Sequence, residues 1–416
     1  MKSQSKKVNI FICFLSLLVF YAATLSAQEE PSGIYLTWEK DPTSTMTIDW
    51  HLKTNATQTL FYRKKGDENW MKKTGNVSDF PFSDRKIHRV FLSGLSADQA
   101  YEVKFGAYER VYYFKTMPKD ISRNPIKFAI GGDTMHDQKV MEKTNLQVLP
   151  YNPDFIIIGG DLAYANGDGK NVKRWYAWFE AVKNTLIHED GRMIPIMLGI
   201  GNHEVKSGFD AESIPEHLKE EKRKESAPFY YNLFAFPGQP GYGVLEFGKY
   251  LSFLFLDSDH TNAIDGPQKD WLARELALQK EKNTTHVMAI YHVPAYPSAR
   301  SFTGRTQSMI RKHWVPLFEK STMNLAFENH DHAYKRTYPI KNNNVDEDGI
   351  VYIGDGSWGT RPRTVHDAAS TWYLETSQSV RAFTLVTLQG KSFNIITVDE
   401  DGNIIDSYPN NPLIKP

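Results

Sequence analysis

The sequence predicts an α/β fold preceded by a small all-β sandwich, and three observations carry that reading. Short β-branched and aromatic runs fill the stretch up to Met117, strands and amphipathic helices alternate from Ile126 onward, and several of the later apolar runs end in Asp, Asn or His.

With 416 residues, 41% of them apolar and 13% aromatic, the chain can bury one large core or two unequal ones, which excludes a disordered chain. Lys plus Arg equals Asp plus Glu at 49 each, so no net field draws it towards nucleic acid or an anionic membrane. No nucleic-acid partner is expected, and an anionic substrate has to be attracted locally.

Residues 1–27 read as a signal peptide: Lys2, Lys6 and Lys7 form a basic start, an apolar run follows, and Ser26-Ala27 offers a small-residue cleavage site. An uncleaved membrane anchor is the alternative, the run lying near the lower length limit for a spanning helix. Otherwise no stable membrane insertion is expected once the leader is cleaved. The single cysteine, Cys13, lies inside the leader, so the mature chain has no disulfide, no thiol nucleophile and no thiolate metal site. Export to a periplasm or the medium is expected, and the lack of disulfides fits a bacterial origin.

Residues 28–117 are read as the sandwich, with strands at 34–38, 45–52, 59–63, 88–92, 100–105 and 111–116. The run from Leu95 to Tyr101 resembles the tyrosine corner of fibronectin type III modules, with Trp50 as a core residue. A polar linker at 118–125 separates it from the second unit, 126–416, whose strands are placed at 126–130, 155–158, 194–200, 251–256, 287–291, 325–327 and 350–353. Helical patterns lie at 172–186, 268–279 and 307–318, and a hairpin at 382–388 and 393–398. The charge run 219–224 reads as a solvated face.

Chemistry gathers where apolar runs end: at Asp133, at Asp161 and Tyr164, at Asn202, His203 and Glu204, at His292, and at His330, Asp331 and His332. In open α/β sheets the ligand crevice lies at the carboxyl ends of the strands, so residues far apart in sequence can converge there. Carboxylate, imidazole, amide and phenol are ligands for first-row metals. There is no glycine-rich phosphate loop with a following Lys-Ser or Lys-Thr and no GxSxG elbow, which argues against a kinase or a serine esterase.

In these residues the sequence resembles the calcineurin-like metallophosphoesterases and, within them, the purple acid phosphatases. The family pattern is GDxG, GDxxY, GNH[DE], VxxH and GHxH. Gly160-Asp161-Leu162-Ala163-Tyr164 and Gly201-Asn202-His203-Glu204 match fully, while the last block has Asn329 where the family has Gly and the first lacks its second glycine. Most of the wider superfamily has a histidine ligand where this chain has Met135; purple acid phosphatases also lack it and use the tyrosine instead. The resemblance implies a metallophosphoesterase β-sandwich flanked by helices, a four-layer αββα arrangement.

It also implies roles. Asp133, Tyr164 and His332 hold a first metal ion, Asn202, His292 and His330 a second, and Asp161 bridges them, with His136 as a rival ligand. The pair is expected to be Fe(III) with Fe(II), Zn(II) or Mn(II). His203 is the expected catalytic residue that holds no metal, and Glu204 and Asp331 are expected to orient ring nitrogens. Tyr296, Arg300 and Arg305 are candidates for substrate contact, and the loop 354–359 for a border of the cleft. The implied activity is hydrolysis of phosphate monoesters, on a phosphorylated small molecule or saccharide, by a metal-bound hydroxide. A diesterase or other ester hydrolase on the same metals, and a binding protein that has lost catalysis, are the alternatives.

Overall fold

The computed structural model describes residues 30–55, 58–106, 108–206, 214–235, 240–354 and 356–409; the leader lies outside them. The N-terminal unit is two four-stranded antiparallel sheets face to face. One runs in the order Ser32–Thr37, Met46–Leu52, Lys86–Leu92, Asn76–Asp79, the other Met71–Thr74, Thr59–Lys64, Ala100–Phe105, Tyr112–Lys115. The strands at 71–74 and 76–79 carry Lys, Ser and Asn on open faces, so their apolar signal in the sequence is weak. Tyr101 is buried, and its hydroxyl accepts a hydrogen bond from the Ser96 amide at 2.8 Å, which ties the corner before its strand.

The second unit stacks a six-stranded sheet on a seven-stranded one. The first is ordered Ile196–Leu198, Phe155–Ile158, Ile126–Gly131, Ala382–Gln389, Ser392–Asp399, Ile404–Tyr408. The second is ordered Gly243–Phe247, Leu251–Phe255, His286–Ile290, Leu325–Glu328, Val351–Gly354, Tyr334–Thr337, Leu374–Gln378. Alternation along each strand divides the core into layers. Phe155, Ile157, Phe128 and Ile130 face Phe253, Met288 and Ile290 across the gap between the sheets. Ile156 and Ile158 face outward, in one core with residues of helices Gln138–Val148 and Val172–Thr185. Val287 and Ala289 pack with Leu272, Ile310 and Phe318 from helices Pro267–Glu281, Arg305–His313 and Val315–Lys320 on the other side. The result is the αββα order.

The periodic stretch 307–318 proves to be two helices, because Trp314 leaves regular geometry and Pro316 sits in the first turn of the next one. The charge run forms most of helix Lys219–Ser226, held by pairs such as Lys224 with Glu220 at 2.8 Å.

The sandwich does not close off its own core. Buried residues from Ile34 to Phe114 belong to one apolar cluster with the inter-sheet residues of the second unit. Trp38, fully buried, meets Phe155 and Phe247 edge-on at 5.8 and 5.7 Å between ring centres. Tyr35 stacks on Phe179 at 4.9 Å and donates its hydroxyl to the Leu233 carbonyl. Trp38→Ala is therefore expected to destabilise the whole chain by about 3–5 kcal/mol, seen as one lowered unfolding transition. Two separated transitions in the wild type would mean that the units melt independently.

Candidate metal centre and its cleft

The strands Ile126–Gly131, Phe155–Ile158 and Ile196–Leu198 run parallel in the first sheet, and His286–Ile290 and Leu325–Glu328 run parallel in the second. Their carboxyl ends open on the same edge of the sandwich, and each delivers its polar residues within a few positions of the last paired residue. The turns are tight. Asp133, Asp161, Tyr164, His330 and His332 all hold left-handed backbone, with φ of 56, 53, 56, 73 and 54°. For residues other than glycine this costs of order 1 kcal/mol each and persists only where surroundings enforce it.

The loops approach closely enough to forbid side chains. A Cβ on Gly201 would lie 2.3 Å from Asp161 Oδ1, and one on Gly132 or Gly159 would lie 2.4 or 2.0 Å from the Asn329 side chain. Asn329, at the position where glycine is usual, fills that space and donates to the Tyr291 carbonyl at 3.1 Å.

Two clusters result, and Asp161 belongs to both. Asp161, His292 and His330 form one; Asp133, Asp161 and His332 form the other. In the first, His292 Nε2 lies 3.2 Å from Asp161 Oδ2, 3.3 Å from Asn202 Oδ1 and 3.1 Å from His330 Nδ1. His292 Nδ1 donates to the Gly159 carbonyl at 3.0 Å, which turns Nε2 to the cluster. There Nε2 meets an amide oxygen, a carboxylate oxygen and a second imidazole nitrogen. Such convergence of donor atoms fits a cation at the centre.

In the second cluster His332 Nε2 is 3.0 Å from Asp133 Oδ1, and Tyr164 donates its hydroxyl to the same oxygen at 3.0 Å while standing 3.3 Å from His332 Nε2. The phenol proton occupies the place a cation would take. Without a cation, burial and the charges of Asp133 and Asp161 push the Tyr164 phenol well above its usual range. For Asp161 burial acts upward, yet His292, His203 and His330 outweigh it and hold the carboxyl below its usual range. Burial would lower His292, but the Asp161 and Asp133 carboxylates carry it up to about 9. A metal ion supplies the opposing charge to these acids and inverts that logic.

His203 stands beside the clusters. Its amide donates to Asp161 Oδ1 at 2.7 Å, its Nδ1 meets Asn166 Oδ1 at 2.5 Å, and its Nε2 is 3.9 Å from Asp161 Oδ2. Burial lowers its pKa against the pull of Asp161. His136 is exposed on the wall of the cleft and outside both clusters, while Met135 is buried in the core.

Three expectations change. Glu204 and Asp331 do not orient ring nitrogens; both are buried and bind backbone. Glu204 accepts from the amides of Asp161, Leu162 and Gly201 at 2.7 to 2.8 Å, and burial with the nearby Asp161 charge pushes its carboxyl up to about 8. Asp331 Oδ2 accepts from the amides of Ser298 and Ala299. Tyr296 is not on the cleft: it is fully buried against Tyr352 and Tyr373. Arg305 pairs with Asp259 at 2.8 Å and is not among the residues lining this cleft, whereas Arg300 is. Of the loop 354–359, Asp355 lies outside the described residues, and Gly359 is bonded to the Asp133 carbonyl through its amide at 3.1 Å. Sequence reasoning missed Arg361 and Arg363, which line the cleft with Arg300.

Paired donor clusters on the strand ends of an αββα sandwich mark the metallophosphoesterase class of hydrolases. Residues 126–334 match the family model described as calcineurin-like phosphoesterase, and residues 31–116 the purple acid phosphatase N-terminal domain. The chain belongs to the calcineurin-like phosphoesterase family and, within it, is of the purple acid phosphatase kind. It is 24% identical over 308 residues to purple acid phosphatase 21 of Arabidopsis thaliana, a match covering 72% of this chain and 64% of that one. To purple acid phosphatase 22 of the same plant it is 25% identical, covering 70% and 63%. The matches thus span somewhat under two thirds of those relatives. The fold is similar to that of purple acid phosphatase PPD1 from Lupinus luteus seeds, with a TM-score of 0.76 at 18% identity, covering 91% of this chain and 74% of that one.

Proposed function

We propose that this protein is an exported phosphatase that hydrolyses phosphate monoesters of small molecules or saccharides on a pair of metal ions. The membership of Asp161 in both donor clusters carries this reading, because a carboxylate shared by two neighbouring donor sets would let this chain hold two ions together. Asp133, Tyr164 and His332 would hold one ion and Asn202, His292 and His330 the other. When bound, such a pair supplies Lewis-acid charge to the phosphoryl oxygens and acidifies water. The chain's own part is to orient and to move a proton. Asn166 Oδ1 accepts from His203 Nδ1, which turns Nε2 to the clusters, and in the protonated ring Nε2 would donate to a phosphate oxygen or give its proton to the leaving alkoxide.

Export rests on the leader read at residues 1–27. Among the described residues, no helix is long and apolar enough to cross a membrane. The deciding assay compares a chromogenic monoester with the matching diester. Faster turnover of the monoester is expected; a preference for the diester would assign a diesterase, and no turnover of either by metal-loaded protein would leave a binding protein.

The ions themselves are tested through Tyr164. A phenolate is an anionic oxygen donor that suits Fe(III), with Fe(II), Zn(II) or Mn(II) in the second site. Iron-loaded protein is expected to be coloured by phenolate charge transfer, and Tyr164→Phe to bleach it and weaken iron retention. A colourless enzyme, fully active without iron and indifferent to Tyr164→Phe, would assign a different metal pair.

A further inference from the structure

Beside the metal clusters opens a cleft of about 640 Å³ lined by His136, Arg300, Arg361 and Arg363, with no carboxylate among the described residues of its wall. The segment carrying Arg361 and Arg363 is sewn to both metal-binding loops. The Gly359 amide bonds to the Asp133 carbonyl at 3.1 Å, the Arg363 amide to the His332 carbonyl at 2.9 Å, and Arg381 Nε to the Thr360 carbonyl at 2.7 Å. Pro362 between them fixes the backbone torsion and keeps Arg361 extended. Neither guanidinium has an ion pair or a side-chain hydrogen bond among the described residues, and both are exposed. Arg300, partly buried, makes only long contacts, 3.4 Å to the His330 carbonyl and 3.6 Å to Asp331 Oδ1.

Two exposed guanidiniums in one cleft, without ion pairs among the described residues and next to the weakly paired Arg300, suit an anion, and a single transferred phosphoryl group belongs at the metal clusters. We propose that Arg361 and Arg363 bind a second anionic group of the substrate, so that the preferred ester carries a further phosphate or carboxylate on its alcohol side. This rests on the phosphatase reading above and adds the substrate class.

The test is calorimetric binding of three ligands that cannot be hydrolysed, propylphosphonate, 3-phosphonopropionate and propane-1,3-bisphosphonate, to metal-loaded wild type and to the double variant Arg361→Ala, Arg363→Ala. The wild type is expected to bind one or both dianchored ligands about 10-fold or more tighter than propylphosphonate, as charge-assisted contacts of this kind provide. The better of the two tells phosphate from carboxylate. In the double variant that preference is expected to collapse towards unity. Equal affinity of the wild type for all three ligands would overturn the proposal, as would an equal loss for all three in the variant. Since both residues are exposed, the variant retains its fold, checked by its melting curve. Failure of wild type to turn over a chromogenic monoester would sink the phosphatase reading alone, while the binding ratios still decide the second-anion site.

Discussion

Asp161→Ala is expected to abolish hydrolysis and to empty both metal positions at once. Its carboxylate is the one group shared by the two donor clusters, and it accepts the His203 amide as well. Without it, two cations at close range would lose the charge that screens them, and His292 loses the carboxylate 3.2 Å from its Nε2. Asp133→Ala removes a carboxylate from one cluster only, so one ion per chain should remain. Elemental analysis of both variants beside wild type checks this. Similar, mild losses from the two changes would show that Asp161 is an ordinary ligand.

His203→Ala is expected to lower turnover by about 10² or more, the scale for losing a proton donor or a charge-stabilising donor. Metal content should not change, because the side chain stands outside both clusters and touches Asp161 only at 3.9 Å. The rate and the metal count have to be measured on the same sample. A fall in both would make His203 a ligand or a support for one.

The expected strands at 126–130, 155–158 and 287–291 are found within a residue or so, because buried parallel strands are written as continuous apolar runs. Edge and half-exposed strands are written more faintly. Gly243–Phe247, Leu374–Gln378 and Ile404–Tyr408 interrupt their apolar residues with Glu, Ser, Thr and Asp and were not distinguishable from loops. Helix Gln138–Val148 was also missed: its apolar stripe is broken by buried Thr144 and Asn145, which bond to the Trp358 carbonyl and to Thr185. At the site, the motifs brought Asp133, Asp161, His292, His330 and His332 into the two clusters. Residue type could not say which polar groups face the cleft. Tyr296 lies close in sequence to His292 yet turns into an aromatic core, and Arg361 and Arg363 lie far from every motif. Their signal was faint but present, two arginines flanking a proline just after a glycine-rich loop.

The left-handed backbone at Asp133, Asp161, Tyr164, His330 and His332 has a consequence for how the centre is assembled. These torsions are set by folding, through glycines that admit the neighbouring loops and through Glu204, which clasps three amides of the turns. The backbone of the cage is thus set by the fold itself, and entry of an ion calls for loss of the Tyr164 proton rather than for rebuilding of the loops. Loading then depends on the ion shedding its water and reaching the opening, so an emptied protein should refill without unfolding, and choice among ions of similar charge should follow supply.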